Sequence, residues 1–205
     1  MVSMKYKRNQ LEDAFSKLLE PKARRPSAGL RTRLRRLLEI DRALGRSARS
    51  TDPSQSRYAF FSDDPPGRGV EIQFSEYEGF ALFTALQLMK HGWIQAVVVS
   101  ILRRARSELE RHHARILRGK TELIGVSLEG KAPVLVVITS AGTTPEVEEE
   151  AFACAVREGY RKAIEWTWEN SERGHGFAIF EIVANARGLA AQLATTEPRH
   201  RGRPG

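Results

Sequence analysis

Cysteine is almost absent from this chain, and so are long apolar segments. Cys154 is the only thiol among 205 residues, which excludes an internal disulfide and any metal site made of several cysteines. The longest apolar run, Ala96–Leu102, is interrupted by Ser100 and is far shorter than the roughly 20 residues that cross a bilayer. The basic segment Met1–Arg8 has no apolar stretch behind it, unlike a secretory signal. These absences favour a cytoplasmic protein that does not enter a membrane.

The sequence also lacks a recognisable set of catalytic or metal-binding residues. Glu148–Glu150 are consecutive and cannot share one helix face as an acid and base pair. His112 and His113 are adjacent, point to different sides of a helix and have no partner at metal-ligand spacing. Cys154 lies in an alanine-rich segment, which is typical of a small core residue. The two glycines of Arg173–Gly176 indicate a phosphate-binding loop only weakly. We therefore expect no enzyme activity, no cofactor and no bound metal.

What the chain does have is a positive charge concentrated at one end. The formal net charge is +8, yet the first fifty residues alone hold 14 Lys and Arg against 5 Asp and Glu. The remaining residues are together almost neutral. A charge distributed so unevenly predicts one surface that binds a polyanion and a remainder with a different role.

Two amphipathic helices are predicted within this basic region. Asn9 and Glu12 have the spacing of a helix-capping pair, and Pro21 ends the helix that follows. Ser27 predicts the start of a second helix, Ala28–Leu44. The apolar face of this second helix consists of Leu30, Leu34, Leu37, Leu38 and Leu44.

Arginines lie between these leucines and are the main candidates for contact with a nucleic acid. Arg31 and Arg35 are four residues apart and share one side of the helix. Arg33 and Arg36 are three residues apart and also lie close together. Arginine suits phosphate because its guanidinium can donate two parallel hydrogen bonds. The predicted DNA surface also includes Lys5, Lys7 and Arg8.

A β-hairpin is predicted after the basic helices. Arg57–Phe61 is a short aromatic strand candidate, and Val70–Phe74 alternates apolar and polar residues. The loop between them is rich in Asp, Pro and Gly and places Arg68 near the tip of the hairpin.

Two further helices are predicted after the hairpin. Ser75–Glu78 is a capping box that opens a helix running to Lys90, with Phe80, Phe83 and Leu86 on its core face. His91 and Gly92 end that helix. The next helix has Val97, Val98, Ile101, Leu102, Ala105 and Leu109 facing inward, with Arg103, Arg104 and Arg106 at outer positions.

The order helix, turn, helix, hairpin, helix, glycine turn, helix resembles the winged-helix DNA-binding domain of the MerR family. The closest stretch, Val70–Arg103, is VEIQFSEYEGFALFTALQLMKHGWIQAVVVSILR. It resembles the family's strand, its serine-capped helix, and its leucine-rich run into a glycine and the following helix. The resemblance implies that Ala28–Leu44 enters the major groove of DNA and that Arg68 is the wing contact. The family usually dimerises through a long helix after the domain, and Ser107–Leu117 would begin such a helix.

The C-terminal half predicts a small α/β unit in the order ββαβα. Leu123–Leu128 and Val134–Thr139 are the first two strands, joined as a hairpin. Thr144 begins a helix that runs to about Asn170, with Pro145 in its first turn. Phe177–Ala184 is a third strand, and Asn185 caps a final helix, 186–194. Dimerisation or partner binding is the role we expect for this unit.

The residues after this unit are basic and polar. Arg201–Pro204, Arg-Gly-Arg-Pro, resembles the core of an AT-hook. Such a motif inserts arginines, here Arg201 and Arg203, into a narrow A·T minor groove, where the negative potential is enhanced.

Taken together, the sequence predicts an α+β protein with three parts. Residues 1–118 form a MerR-like winged helix-turn-helix domain, 119–195 a small α/β domain, and 196–205 an AT-hook-like tail. The predicted function is transcriptional regulation by a homodimer that binds double-stranded DNA in the cytoplasm, at the nucleoid. The alternative is a non-enzymatic adaptor whose basic N-terminal half binds RNA or an acidic protein.

Overall fold

The computed structural model describes residues 4–67, 70–120, 133–140, 152–170 and 176–197. Several predicted features lie outside these residues: Arg68, the strand Leu123–Leu128, the start of a helix at Thr144, Glu148–Glu150, most of the loop Arg173–Gly176, and the tail with Arg201 and Arg203.

The N-terminal half is mainly helical, and its two serine-capped helices begin where the sequence predicts. The predicted capping pair of Asn9 and Glu12 is wrong, because the first helix begins at Arg8 and Gln10 Oε1 accepts from the N–H of Lys7, the capping residue, at 2.9 Å. Ser27 Oγ accepts from the N–H of Leu30 at 3.1 Å, and Ser75 Oγ accepts from the N–H of Glu78 at 3.2 Å. Gly92 follows a helix end with a φ of 94°, a conformation that favours glycine. The helices are α1 (Arg8–Leu19), α2 (Ala28–Leu44), the short α3 (Pro53–Ser56), α4 (Glu76–Lys90) and α5 (Gln95–Arg115), which continues as a π-helical turn, Ile116–Lys120.

Helix α4 lies at the centre of the molecule. Its residues from Tyr77 to Leu86 are all buried, so the helix is buried on every side and not only on the single face that the sequence predicts. Gly79 allows α1 to approach closely, because a Cβ there would lie 3.0 Å from Cδ2 of Leu11. The helix is enclosed by α2, α5 and a C-terminal helix described below.

The predicted wing hairpin is not formed. Strand β2 (Gln73–Ser75) pairs antiparallel with β1 (Lys5–Lys7), with Phe74 opposite Tyr6. Arg57–Phe61, the predicted first strand of the hairpin, has no strand structure.

Buried charged groups explain why Arg57–Phe61 forms a loop. Both carboxylate oxygens of Asp41 accept backbone hydrogen bonds, from Ala59 at 3.0 Å and Phe60 at 2.9 Å. Arg106 Nη1 donates to the carbonyls of Tyr58 at 2.6 Å and Phe61 at 2.7 Å. The backbone groups that a strand partner would occupy are therefore bound by side chains of α2 and α5.

Among the described residues of the C-terminal part, three strands form an antiparallel sheet in the order β4–β3–β5. The elements of this part are β3 (Val134–Ser140), β4 (Phe152–Glu158), α6 (Tyr160–Asn170), β5 (Gly176–Glu181) and α7 (Val183–Ala194). The central strand β3 is buried on both faces, since Val136 joins the main core while Val137 packs beneath α6 with Ala163.

Two element boundaries in this part differ from the prediction. The helix predicted from Thr144 to Asn170 is wrong over Phe152–Glu158, where all seven residues pair with β3. Gly159, with a φ of 84°, separates this strand from α6. The predicted strand Phe177–Ala184 ends at Glu181, whose carboxylate accepts from the N–H groups of Val183 and Ala184 and so starts α7. Asn185, the predicted cap, lies inside that helix.

One main hydrophobic core joins the two halves of the described chain. Helix α7 packs against α1 and α4, and β4 packs against α5. Leu189 and Leu193 of α7 belong to the same buried cluster as Leu11 and Phe15 of α1. The residues before and after position 118 therefore share a core. The structure is of the α+β class.

Candidate nucleic-acid interface

Helix α2 has the two-sided character that the sequence predicts. Leu30, Leu34, Leu37 and Leu38 are buried against the core. Leu44, the last predicted core leucine, is 55% exposed because it lies in the final turn, beyond the packed part of the helix. The opposite face carries exposed arginines, namely Arg31, Arg33, Arg35, Arg36 and Arg42.

Part of the predicted DNA surface is occupied by ion pairs with carboxylates. Glu12 Oε1 lies 2.8 Å from Arg8 Nε, and Glu12 Oε2 lies 3.7 Å from Arg31 Nε. Arg35 Nε is 3.8 Å from Glu39. Surface pairs of this kind are weak, typically below about 1 kcal/mol, so phosphate can replace the carboxylate. Lys7 forms a similar pair with Glu71 at 2.9 Å.

Other predicted residues have no carboxylate partner among the described residues. Arg33 and Arg36 are exposed on α2, one turn apart, and Lys5 is exposed on β1. Because no carboxylate of a described residue lies beside them, these side chains can interact with solvent or with a bound anion. Arg33 and Arg36 are therefore the best-placed predicted residues for contact with a polyanion.

The turn before α2 adds cations that were not among the predicted contacts. Glu20 fixes this turn, because its carboxylate accepts from Ser27 Oγ at 2.6 Å and from the N–H of Ser27 at 3.2 Å. Lys22, Arg24 and Arg25 are exposed on it and have no ion-pair partner in the part of the chain that the structure describes. The run of basic residues beside a helix cap was the sequence signal for this position. We call Lys22, Arg24, Arg25, Arg33 and Arg36 the α2 basic face.

The C-terminal end of the described chain lies beside this turn. The side-chain amide of Gln10 donates to the carbonyl of Thr196 at 3.0 Å, which attaches the end of α7 to α1. A cleft of about 390 Å³ is lined by Lys17, Arg24 and Arg25 on one side and by residues 195–197 on the other. The described chain therefore ends beside Arg24 and Arg25 of the α2 basic face.

Two of the three arginines predicted at outer positions of α5 are buried and serve the fold. Arg103 is 2% exposed, and its Nε lies 2.6 Å from Asp41 Oδ1. Its Nη atoms donate to the carbonyls of Asp41, Gly45 and Ser54. Arg106 is 6% exposed and binds the loop around Phe61. The prediction that these residues face outward is wrong, because their side chains satisfy buried backbone carbonyls.

Burial shifts the pKa values of two groups considered from the sequence above, His113 of α5 and Cys154 of β4. Burial lowers the pKa of His113 to about 4, and its ring stacks on Phe80 with centroids 4.7 Å apart. Burial raises the pKa of the Cys154 thiol to about 12, and its Sγ lies 3.7 Å from the carbonyl oxygen of Ile101. In the described ranges, no group of three or more His, Cys, Asp or Glu residues could hold a metal ion.

Comparisons with known proteins find no matching family model, no similar curated protein and no similar solved structure. Within the described residues, no helix combines the length and apolar character needed to cross a membrane. The function is therefore inferred from the arrangement of charge and exposed side chains alone.

Proposed function

We propose that this protein binds duplex DNA through the α2 basic face and acts as a transcriptional regulator. The observation that carries the proposal is a set of five exposed cations, on α2 and the turn before it, that have no ion-pair partner among the described residues. Arg8, Arg31 and Arg35 flank this set and are held by weak carboxylate pairs.

The geometry of α1, the turn and α2 fits a helix that lies against DNA. The leucine side of α2 is fixed to the core, so its arginine side presents a rigid surface to a ligand. Guanidinium groups on such a surface displace counterions from phosphates, and this displacement supplies most of the affinity for a polyanion. The described chain ends beside this turn, and the sequence continues from there into a second set of arginines.

Removing charge from α2 tests the proposal. The affinity of Arg33→Ala plus Arg36→Ala for a duplex of about 25 base pairs is measured by fluorescence anisotropy over a range of salt concentrations. The slope of log K against log salt is negative, and each lost phosphate contact makes it shallower by about 0.9. We therefore expect the slope of the variant to be shallower by about 2, with weaker binding at low salt.

Lys90→Ala plus Arg111→Ala is the matched control. It removes two exposed cations from α4 and α5 while leaving the α2 basic face intact. The proposal fails if the α2 variant keeps the wild-type affinity and slope, or if both variants lose binding equally.

Competition between nucleic acids separates DNA binding from the adaptor alternative. Unlabelled duplex DNA and structured RNA of equal length are added to the labelled complex at fixed salt. Displacement at a lower concentration of DNA supports the proposal. Preferential displacement by RNA supports the adaptor. The competition is needed because phosphate charge alone does not distinguish duplex DNA from RNA.

A further inference from the structure

Helix α6 has a second apolar face that nothing in the described structure covers. Ala163 and Thr167 are buried and attach the helix to the sheet. Tyr160, Ile164 and Trp168 recur every four residues on another side, and they are 57%, 48% and 80% exposed. Residues four apart lie above one another on a helix, so these three form a stripe.

The stripe borders a part of the sheet that no described residue covers. Helix α6 packs over β3 and β4, and Arg157 of β4 lies 5.5 Å from the ring centroid of Trp166. The stripe is on the opposite side of α6 from Trp166 and therefore faces the β5 side of the sheet. Phe177 of β5 is opposite Thr139 in register and is 59% exposed.

The stripe and Phe177 together expose a large apolar area. We call Tyr160, Ile164, Trp168 and Phe177 the α6 patch. From the size of such side chains and their exposed fractions, the patch presents roughly 500 Å² of surface to solvent. The largest apolar patch on a typical monomer is about 300–600 Å² and is often functional, and a standard interface buries about 800 Å² per partner.

The charges of α6 are complementary to a second copy of the same helix. Arg161 and Lys162 occupy its first turn, Glu165 lies at its middle, and Glu169 lies in its last turn. Arg161 Nε is 3.6 Å from Glu165 of the same helix, but this pair is exposed and weak, so Arg161 can also interact with a carboxylate of another chain. In an antiparallel pair related by a two-fold axis, the basic first turn of each helix lies against Glu169 of the other. The two helix dipoles are then also opposed, which is favourable.

We propose that two copies of this chain associate through the α6 patch, with their α6 helices antiparallel about a two-fold axis close to Ile164. Tyr160 of one copy then packs against Trp168 of the other, and each stripe covers the uncovered part of the other copy's sheet. This inference goes beyond DNA binding and does not depend on it, because it uses neither α2 nor the basic turn.

Sedimentation velocity of the full chain tests the proposal. We expect the wild type to sediment as a dimer in the micromolar range. Ile164→Glu places two carboxylates at the axis and should raise the dimer dissociation constant at least about tenfold. The control is Ile94→Glu, because Ile94 is an equally exposed isoleucine, at 53%, outside the α6 patch. Circular dichroism checks that both variants fold.

The proposal is overturned if the wild type is a monomer throughout this range, which would assign the patch to a different protein. It is also overturned if Ile164→Glu dimerises as tightly as the wild type. Equal weakening by Ile94→Glu would show that α6 has no special role.

A cysteine variant tests the two-fold geometry separately. A residue near a two-fold axis lies close to its own copy in the partner, so Ile164→Cys should form an intermolecular disulfide under mild oxidation. Ile94→Cys should not, and the natural Cys154 is protected by packing. Cross-linking of Ile94→Cys at the same rate would contradict the antiparallel α6 arrangement.

Discussion

At the scale of single residues, the same side-chain type has opposite roles in different positions. Arg33 and Arg36 are exposed without a carboxylate partner among the described residues, whereas Arg103 is enclosed by Asp41 and three backbone carbonyls. Helical periodicity identified the exposed arginines correctly, because leucines mark the opposite side of α2. It failed for α5, where a long side chain reaches buried carbonyls of a loop that is distant in sequence.

His113 shows another residue-scale effect that the sequence does not reveal. Its ring is enclosed by Phe80 and Tyr77, and burial lowers its pKa to about 4. Burial is also the main cause of the lowered pKa of His112, and the positive charges of Arg115 and Arg111 add to it. Both histidines are only 5% exposed, which two adjacent histidines in a sequence do not indicate.

We predict that the folded state loses stability as the pH falls from about 6.5 toward 4. The unfolded chain binds a proton at His113 near pH 6.5, whereas the folded chain does so only near 4, so acid favours unfolding. The full effect is about 3 kcal/mol, from roughly 1.4 kcal/mol per pKa unit. Urea unfolding of wild type and His113→Leu at pH 7 and pH 5 measures it. The variant should show the smaller decrease, and equal decreases would contradict the prediction.

At the scale of elements, the loop Arg57–Ser62 depends on groups contributed by three helices. Asp41 of α2, Glu78 of α4 and Arg106 of α5 bind its backbone. The aromatic residues of this segment predicted a strand, because Tyr and Phe are common in strands. They are instead buried as loop residues, since charged side chains satisfy the loop's backbone. Propensity alone cannot anticipate such pairing between distant parts of the chain.

We predict that the buried pair Asp41–Arg103 is essential for this arrangement. Arg103→Met leaves the Asp41 carboxylate buried without its cation and should lower the free energy of unfolding by about 3–5 kcal/mol. Arg46→Met is the control, because Arg46 forms a comparable pair with Asp64 at 2.9 Å at the surface. Chemical denaturation of the three proteins compares them. A loss for Arg103→Met no larger than that for Arg46→Met would contradict the prediction.

At the scale of the whole molecule, the sequence indicates the unequal distribution of charge and the α+β class. It does not indicate that α7 completes the core around α1 and α4, because apolar periodicity shows which side of a helix is buried but not its partner. The sequence likewise does not show that the C-terminal end of the described chain lies beside Arg24 and Arg25. Tertiary packing brings those two regions together.

We predict that residues 1–118 alone do not form a stable domain. The fragment lacks Val183, Ala186, Leu189 and Leu193, which cover Leu11 and the neighbouring part of α4. It should bind a hydrophobic dye and unfold without a sharp transition, whereas the full chain unfolds cooperatively. Fluorescence and urea denaturation test this. A cooperative, dye-free fragment would support the predicted boundary near residue 118.

The bond between Gln10 and Thr196 also has a consequence for synthesis on the ribosome. It joins residues 186 positions apart, and the contacts of α1 with α7 are almost as distant. Contacts of such long range form late, because most of the chain must be available before they can close. The nascent α1 and α2 therefore emerge with their arginines exposed but without their final support. Helix α1, which lies beside the surface that we assign to DNA, therefore gains its last packing partner only after α7 has been translated and has docked.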